Sequence, residues 1–156
     1  MKKTSLVSEV SGAPSSEVEP ISINLAYIAA LFIGIVPLHF IANEIGLYDT
    51  PFVWFDNVLH VMVGLGFGLL WLWTIKLKGI DLSLSKTLLS TAVFVLVLAI
   101  GWELVELGFF EYFTDYAYSL KVYSPSLEEA TYDVVSNLLG IGLIPLIGII
   151  QRRRCA

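Results

Sequence analysis

The chain has 156 residues, 56% of them hydrophobic, with a mean hydropathy of +0.79 and a formal net charge of −5. Soluble domains are roughly 45–50% apolar, whereas here the apolar residues form four blocks, each about as long as a bilayer requires, ~17–25 residues. This pattern excludes an ordinary soluble domain, and the acidic balance gives no indication of a nucleic-acid-binding face. The sequence therefore predicts an all-α integral membrane protein, a four-helix bundle in a single domain over residues 21–151.

The N-terminal residues 1–20 are polar, and they lack the apolar segment of a cleavable signal peptide. We therefore expect a flexible tail. The first span is predicted over about residues 21–42. It contains Pro37, which a membrane helix tolerates where its neighbours satisfy the freed carbonyl, and it carries His39 near its end.

Three more apolar blocks follow along the chain. The second span is predicted over about residues 56–75, directly after a Trp-Phe pair that is typical of a membrane interface. The third span is predicted over about residues 88–110 and the fourth over about residues 131–150. A basic C-terminal tail, residues 152–156, ends the chain.

The lysines and arginines predict how the spans are oriented, because cytoplasmic segments are enriched in them. Eight of the nine basic residues lie in the two tails or between spans two and three, and only Lys121 lies elsewhere. Four spans then place both termini in the cytosol. The sequence therefore predicts a multi-pass protein of the cell membrane with its N- and C-termini inside.

Two glutamates, Glu103 and Glu106, lie near the end of the third apolar block. At this i, i+3 spacing they share one helix face, with Cβ atoms roughly 5–6 Å apart. An ionisable side chain at membrane depth costs a few kcal/mol, so it normally faces a partner, a cavity or an ion. Two anions this close in a low dielectric need a shared proton, a cation or a basic partner.

The predicted topology brings other polar side chains to the same level. Span two begins with Asp56 and His60, and span four begins with Asp133 and Asn137, both at i, i+4. His39 lies in the last turn of span one. At a rise of ~1.5 Å per residue, these groups all lie within roughly 10 Å of the outer boundary of the hydrocarbon.

This polar layer predicts a metal- or proton-binding site that opens to the outer face. Oxygen-rich sites with one or two histidines suit Zn, Mn, Fe or Mg. In the catalytic form of the hypothesis, Glu103 or Glu106 is the general base for a metal-activated water that attacks a lipid or cell-envelope substrate. His39 and Asn137 complete the polar layer. The candidate metal ligands are Asp56, His60, Glu103, Glu106 and Asp133.

Several alternatives remain open from the sequence. Asp56 and Asp133 are also typical helix N-caps. The carboxylates could form a proton relay in a transporter or channel-like protein, or a protonated, hydrogen-bonded cluster in a structural subunit without catalysis. A haem held between His39 and His60 is a further candidate. The sequence leaves open whether the protein is an enzyme, what its substrate is, and its oligomeric state.

Glycines accompany the polar residues. Gly64 and Gly68 continue the face of the second span that carries the polar groups, Gly101 precedes the two glutamates, and Gly140 follows the polar start of the fourth span. Small residues on such faces allow membrane helices to pack with their backbones close together. We therefore expect these four glycines to mark helix contacts around the polar layer.

Three motifs together resemble the VanZ-like group of small membrane proteins. That group shares an Asp-x-x-x-His opening, a helix with Gly and Glu, and an Asp-x-x-x-Asn-x-x-Gly closing helix. The resemblance covers about residues 54–150 and implies a membrane-helical architecture with a polar site, but little about the substrate. The matching segments are DNVLH at 56–60, GWELVE at 101–106 and DVVSNLLG at 133–140.

Overall fold

The structure, a computed structural model, describes residues 23–48, 54–119 and 126–146. The described residues contain helices and no strand, which confirms the all-α prediction. Both predicted tails and residues 147–150 of the predicted fourth span lie outside the described residues. The helices are α1 (Leu25–Glu44), α2 (Trp54–Leu77), α3 (Leu84–Tyr112), α4 (Thr114–Ser119) and α5 (Leu127–Gly142).

Three of these helices are long enough and apolar enough to cross a membrane. They are α1, α2 and α3, with 20, 24 and 29 residues. At ~1.5 Å per residue, even 20 residues extend over about 30 Å, the thickness of the hydrocarbon core. The described part of α5 has 16 residues, so it covers only part of the predicted fourth span.

Helix α1 begins four residues later than the predicted span. The side chain of Asn24 accepts a hydrogen bond from the backbone N–H of Ala26 at 2.9 Å, which makes Asn24 the N-cap. The helix includes Pro37 and ends at Glu44, and Gly46 follows with a φ of +72°. The predicted span 21–42 overlaps α1 over residues 25–42, and residues 21–22 of that span lie outside the described residues.

Helices α2 and α3 extend beyond their predicted spans at both ends. Lys76 lies in the last turn of α2, and Lys86 lies in the first turn of α3. A lysine at a helix end can keep its ammonium group in water while its stem follows the apolar surface. The helices therefore continue past the hydrocarbon until Gly79, at φ +62°, turns the chain between them.

Helix α5 begins at Leu127 rather than at residue 131 because a capping box precedes it. The Ser126 hydroxyl accepts from the backbone N–H of Glu129 at 3.1 Å, and the Glu129 carboxylate accepts from the Ser126 N–H at 2.9 Å. The helix ends at Gly142, shortly before Pro145, which has no N–H to donate to the carbonyl of Ile141.

Helix α2 is the centre of the packing. Among the described helices it packs against α1, α3 and α5, and its contact with α5 is the most extensive. Helices α3 and α5 also pack against each other, whereas α1 contacts α2 alone. The two helices that begin with the predicted polar pairs, α2 and α5, are therefore the most closely associated.

Glycines explain the close contact of α2 with α5. A Cβ at Gly64 would overlap the backbone carbonyl of Asn137, and a Cβ at Gly140 would overlap that of Val61. Gly68 also faces α5, where a Cβ would lie 2.8 Å from Cδ1 of Ile144. Gly101 does not follow this pattern, because nothing lies within 4 Å of its Cβ position. The expectation of a helix contact at Gly101 was wrong.

Candidate metal centre

The contact between α2 and α5 brings Asp56, His60 and Asp133 together. Each residue offers one ligand atom, and these atoms all lie within 4.8 Å of one another. His60 Nε2 lies 3.8 Å from Asp56 Oδ2 and 3.6 Å from Asp133 Oδ1. Asp56 and His60 share one face because they are four residues apart on α2. We call these three residues the His/Asp cluster.

The separations within the His/Asp cluster are at or above the upper end of those between ligands of one tetrahedral ion. An N–O distance of 3.6 Å or more is too long for a direct hydrogen bond. Two ligands about 2.0–2.2 Å from a tetrahedral metal lie ~3.3–3.6 Å apart. The observed 3.6 and 3.8 Å distances from His60 Nε2 to its two carboxylates therefore leave room for an ion or a water between them.

Asn137 contacts the His60 ring at its other nitrogen, Nδ1. Its Nδ2 atom lies 3.0 Å from His60 Nδ1 and donates to the backbone carbonyl of Asp133 at 2.8 Å. Asn137 is 3% exposed, so these hydrogen bonds are protected from water. Beside it, Ser136 Oγ donates to Asn57 Oδ1 at 3.1 Å, a second link between α5 and α2.

Glu103 is a buried polar residue of α3. Neither of its carboxylate oxygens has a hydrogen-bond partner among the described residues. It continues the buried face of α3 that includes Val95 and Ala99, which is the face directed at the other helices. Its charge interacts with those of Glu106, Asp133 and Asp56. Buried polar groups are normally paired, so Glu103 requires an explanation.

Glu106 lies one turn further along α3. Its charge interacts with those of His60 and Asp56. Both predicted glutamates interact electrostatically with residues of the His/Asp cluster, but neither belongs to the group of ligand atoms within 4.8 Å.

His39 lies apart from this group. Its ring is exposed on α1, and its Nδ1 atom lies 2.6 Å from the hydroxyl of Tyr48. Burial, together with the nearby charge of Asp56, raises the pKa of Tyr48, so the phenol that contacts His39 stays protonated. The two histidines therefore have separate partners, and the described geometry gives no support to a haem between them.

The N-cap interpretation of the two aspartates was wrong. Asp133 is the seventh residue of α5, whose cap is Ser126. Asp56 lies inside the first turn of α2, two residues after Trp54, where the described part of that helix begins. An acidic residue in a first turn still interacts favourably with the helix dipole, but neither aspartate satisfies free amides as a cap.

An apolar groove of about 290 Å³ lies between α3 and α5, and Glu103 forms part of its wall. The groove was not predicted, since it depends on the spacing of two helices. The pairing of Ser136 with Asn57 was also missed, although each is polar and adjacent to a predicted site residue. The lining residues are Ile100, Glu103, Leu104, Leu127, Ala130, Thr131, Val134 and Val135.

The described helices and the His/Asp cluster define the class of protein: a helical membrane protein with a candidate His/Asp site, in which Asp133 is buried and Asp56 and His60 are partly exposed. The chain belongs to the family described as predicted membrane protein (DUF2238), whose model matches residues 20–154. Comparison with curated proteins and with solved structures gave no match. The prediction of a membrane protein is thus confirmed.

Proposed function

We propose that the protein binds a divalent cation at the His/Asp cluster and acts on a lipid or cell-envelope substrate at the outer face of the membrane. The observation that carries this proposal is the meeting of three ligand atoms from two helices within 4.8 Å. Three protein ligands are typical of a catalytic metal site that keeps a position open. Zn, Mn, Fe and Mg are the candidate ions.

The charge of the site supports a cation. Asp56, Asp133, Glu103 and Glu106 are four acidic groups in one region, and no lysine or arginine interacts with any of them in the part of the chain that the structure describes. Like charges in a low dielectric raise the free energy of the folded state. A divalent cation offsets this repulsion, and so does protonation of some carboxylates.

The side chains have separate roles in the proposed chemistry. A bound metal would polarise a phosphoryl or acyl oxygen and activate a water. Glu103 would be the base that receives the proton of that water, because its two oxygens have no hydrogen-bond partner among the described residues. Glu106, one turn further along α3, would be the second candidate base.

The proposal includes the predicted topology. It has four spans in a bundle, with residues 131–150 as the last and both termini in the cytosol, as the distribution of lysines and arginines favours. The VanZ-like order of motifs is consistent with the same arrangement. Helix α5, which packs against both α2 and α3, supports a fourth membrane helix.

Metal analysis of the purified full chain tests the proposal. We expect stoichiometric metal in the parent protein and in Asp115→Asn, a matched change at an exposed aspartate of α4. Asp133→Asn should lose most of the metal, because a neutral amide is a weaker ligand than a carboxylate. Chelator should lower the melting temperature of the parent and of Asp115→Asn but not that of Asp133→Asn. A parent protein without metal, whose melting ignores chelator and added metal, would contradict the proposal.

A proton relay is the second candidate, and the unpartnered Glu103 is the observation that favours it. A carboxylic acid that carries a proton is neutral and tolerates burial better than a carboxylate. In that case Glu103→Gln has the same shape and the same zero charge as the protonated acid. The melting temperature of this variant should equal or exceed that of the parent. If Glu103 is instead ionised beside a metal, the same change alters the charge of the site, and the response to chelator should change with it.

A further inference from the structure

The groove between α3 and α5 has the features of a binding site for a lipid chain. Its volume of about 290 Å³ is near the lower end of the ~300–1,000 Å³ that small-molecule sites occupy, so it fits one chain rather than a whole phospholipid. Most of the lining side chains are apolar. The hydroxyl of Thr131, which also lines the groove, already donates to the carbonyl of Leu127 at 2.7 Å.

The groove opens sideways rather than towards water. Leu104 on α3 and Val135 on α5 line it and are 63% and 47% exposed. Because α3 is long and apolar enough to cross the membrane, the surroundings of these side chains are acyl chains. A lipid can therefore enter the groove without leaving the bilayer.

Glu103 connects the groove with the polar site. It forms part of the groove wall and also interacts with the charges of Asp133 and Asp56. On α5, Val134 lines the groove and the preceding residue, Asp133, belongs to the His/Asp cluster. The groove and the cluster therefore lie at the same level of α5.

We propose that this groove binds one acyl chain of a membrane phospholipid and delivers its phosphate to the His/Asp cluster. The inference rests on the proposed function, because the surrounding carboxylates repel a phosphate unless a cation lies between them. The substrate is then a phosphate-bearing lipid, which enters laterally from the bilayer between α3 and α5.

The test measures how much palmitoyl-oleoyl phosphatidylglycerol the full chain retains after delipidation in detergent, by native mass spectrometry. We expect the parent to retain the lipid and Ala130→Phe, which fills the groove, to retain about tenfold less. Ala30→Phe is the matched control, since Ala30 is exposed on α1, away from the groove. Val135→Phe is a second groove variant at an exposed edge, and the same loss is expected there.

Two further measurements separate this inference from the proposed metal site. Metal content is determined in the same samples, and it should be equal in the parent, Ala130→Phe and Ala30→Phe. Glycerol phosphate, a head group without a chain, should not displace the retained lipid at equal concentration. Chelator should release the lipid from the parent.

The outcomes distinguish the two proposals. If both groove variants retain as much lipid as the parent, or glycerol phosphate displaces the lipid, the groove inference is overturned even when the metal is present. If the groove variants lose the lipid but no sample contains metal, the groove binds a chain and the metal site fails. Equal loss of lipid in Ala30→Phe would also overturn the inference, because the effect would not belong to the groove.

Discussion

At the scale of single residues, Asn137 determines whether the ring nitrogen of His60 that faces the two aspartates carries a proton. The amide nitrogen of Asn137 can only donate, and it lies 3.0 Å from His60 Nδ1. Nδ1 therefore accepts, and a neutral His60 ring carries its proton on Nε2, facing Asp56 and Asp133. A metal on Nε2 needs that proton on Nδ1 instead, so metal binding requires Asn137 to turn its amide oxygen towards the ring.

Asn137→Asp should therefore raise the metal affinity. A carboxylate accepts from Nδ1–H and favours the ring form that binds a metal, an effect typically worth about 10–100-fold. Calorimetric titration of chelated protein with Zn²⁺ measures it. Asn57→Asp is the control, because it adds the same charge on α2 at a side chain that is bonded to Ser136. An equal gain in both variants would show that charge alone is responsible.

At the scale of helices, two glycines fix how α2 and α5 meet. Gly64 and Gly140 allow backbone to approach backbone at the crossing, next to Asn137 and Val61. This close approach sets the rotation of each helix about its axis. It thereby decides that His60 faces Asp133 and that Ser136 faces Asn57.

Gly64→Ala should separate α2 from α5. The added Cβ overlaps the carbonyl of Asn137, and overpacking of this kind typically costs 1–3 kcal/mol of unfolding free energy, so about 2 kcal/mol is expected. The melting temperature in detergent should fall clearly. Gly101→Ala is the matched control, because nothing lies within 4 Å of its Cβ position and alanine favours a helix by about 1 kcal/mol. Equal melting of both variants would contradict the role given to the crossing.

At the scale of the whole molecule, orientation decides which side of the membrane the site faces. Lysines gather around the turn at Gly79, between α2 and α3, whereas the segment around α4 carries Glu111 and Asp115. The positive-inside tendency then places Gly79 in the cytosol and α4 outside. The His/Asp cluster, at the start of α2, would open to the outer face.

Reporter fusions measure this orientation. A fusion after Gly79 and one at Ala156 should report the cytosol, and a fusion after Ser119 should report the outside, because eight of nine basic residues favour that arrangement. A cytosolic signal from the Ser119 fusion would contradict the topology. It would also place the proposed substrate site on the inner leaflet.

Much of the helical organisation was predictable, because it depends on local properties. Long apolar blocks located α1, α2 and α3, and the i, i+4 spacing of Asp56 and His60 placed them on one face. The helix ends were less predictable. Caps such as Asn24 and the Ser126 capping box depend on side-chain hydrogen bonds that hydropathy does not register.

The sequence by itself predicted that polar side chains from several helices lie at one level of the membrane, because span length and loop charge limit the depth of each residue. Only the tertiary structure decided which of them meet. His60 and Asp133 join Asp56, Glu103 lies beside them without a partner, and His39 pairs with Tyr48 instead. The physical reason is that contact depends on helix rotation and proximity. Both are set by the backbone approach at Gly64 and Gly140 and by the position of α1 against α2 alone.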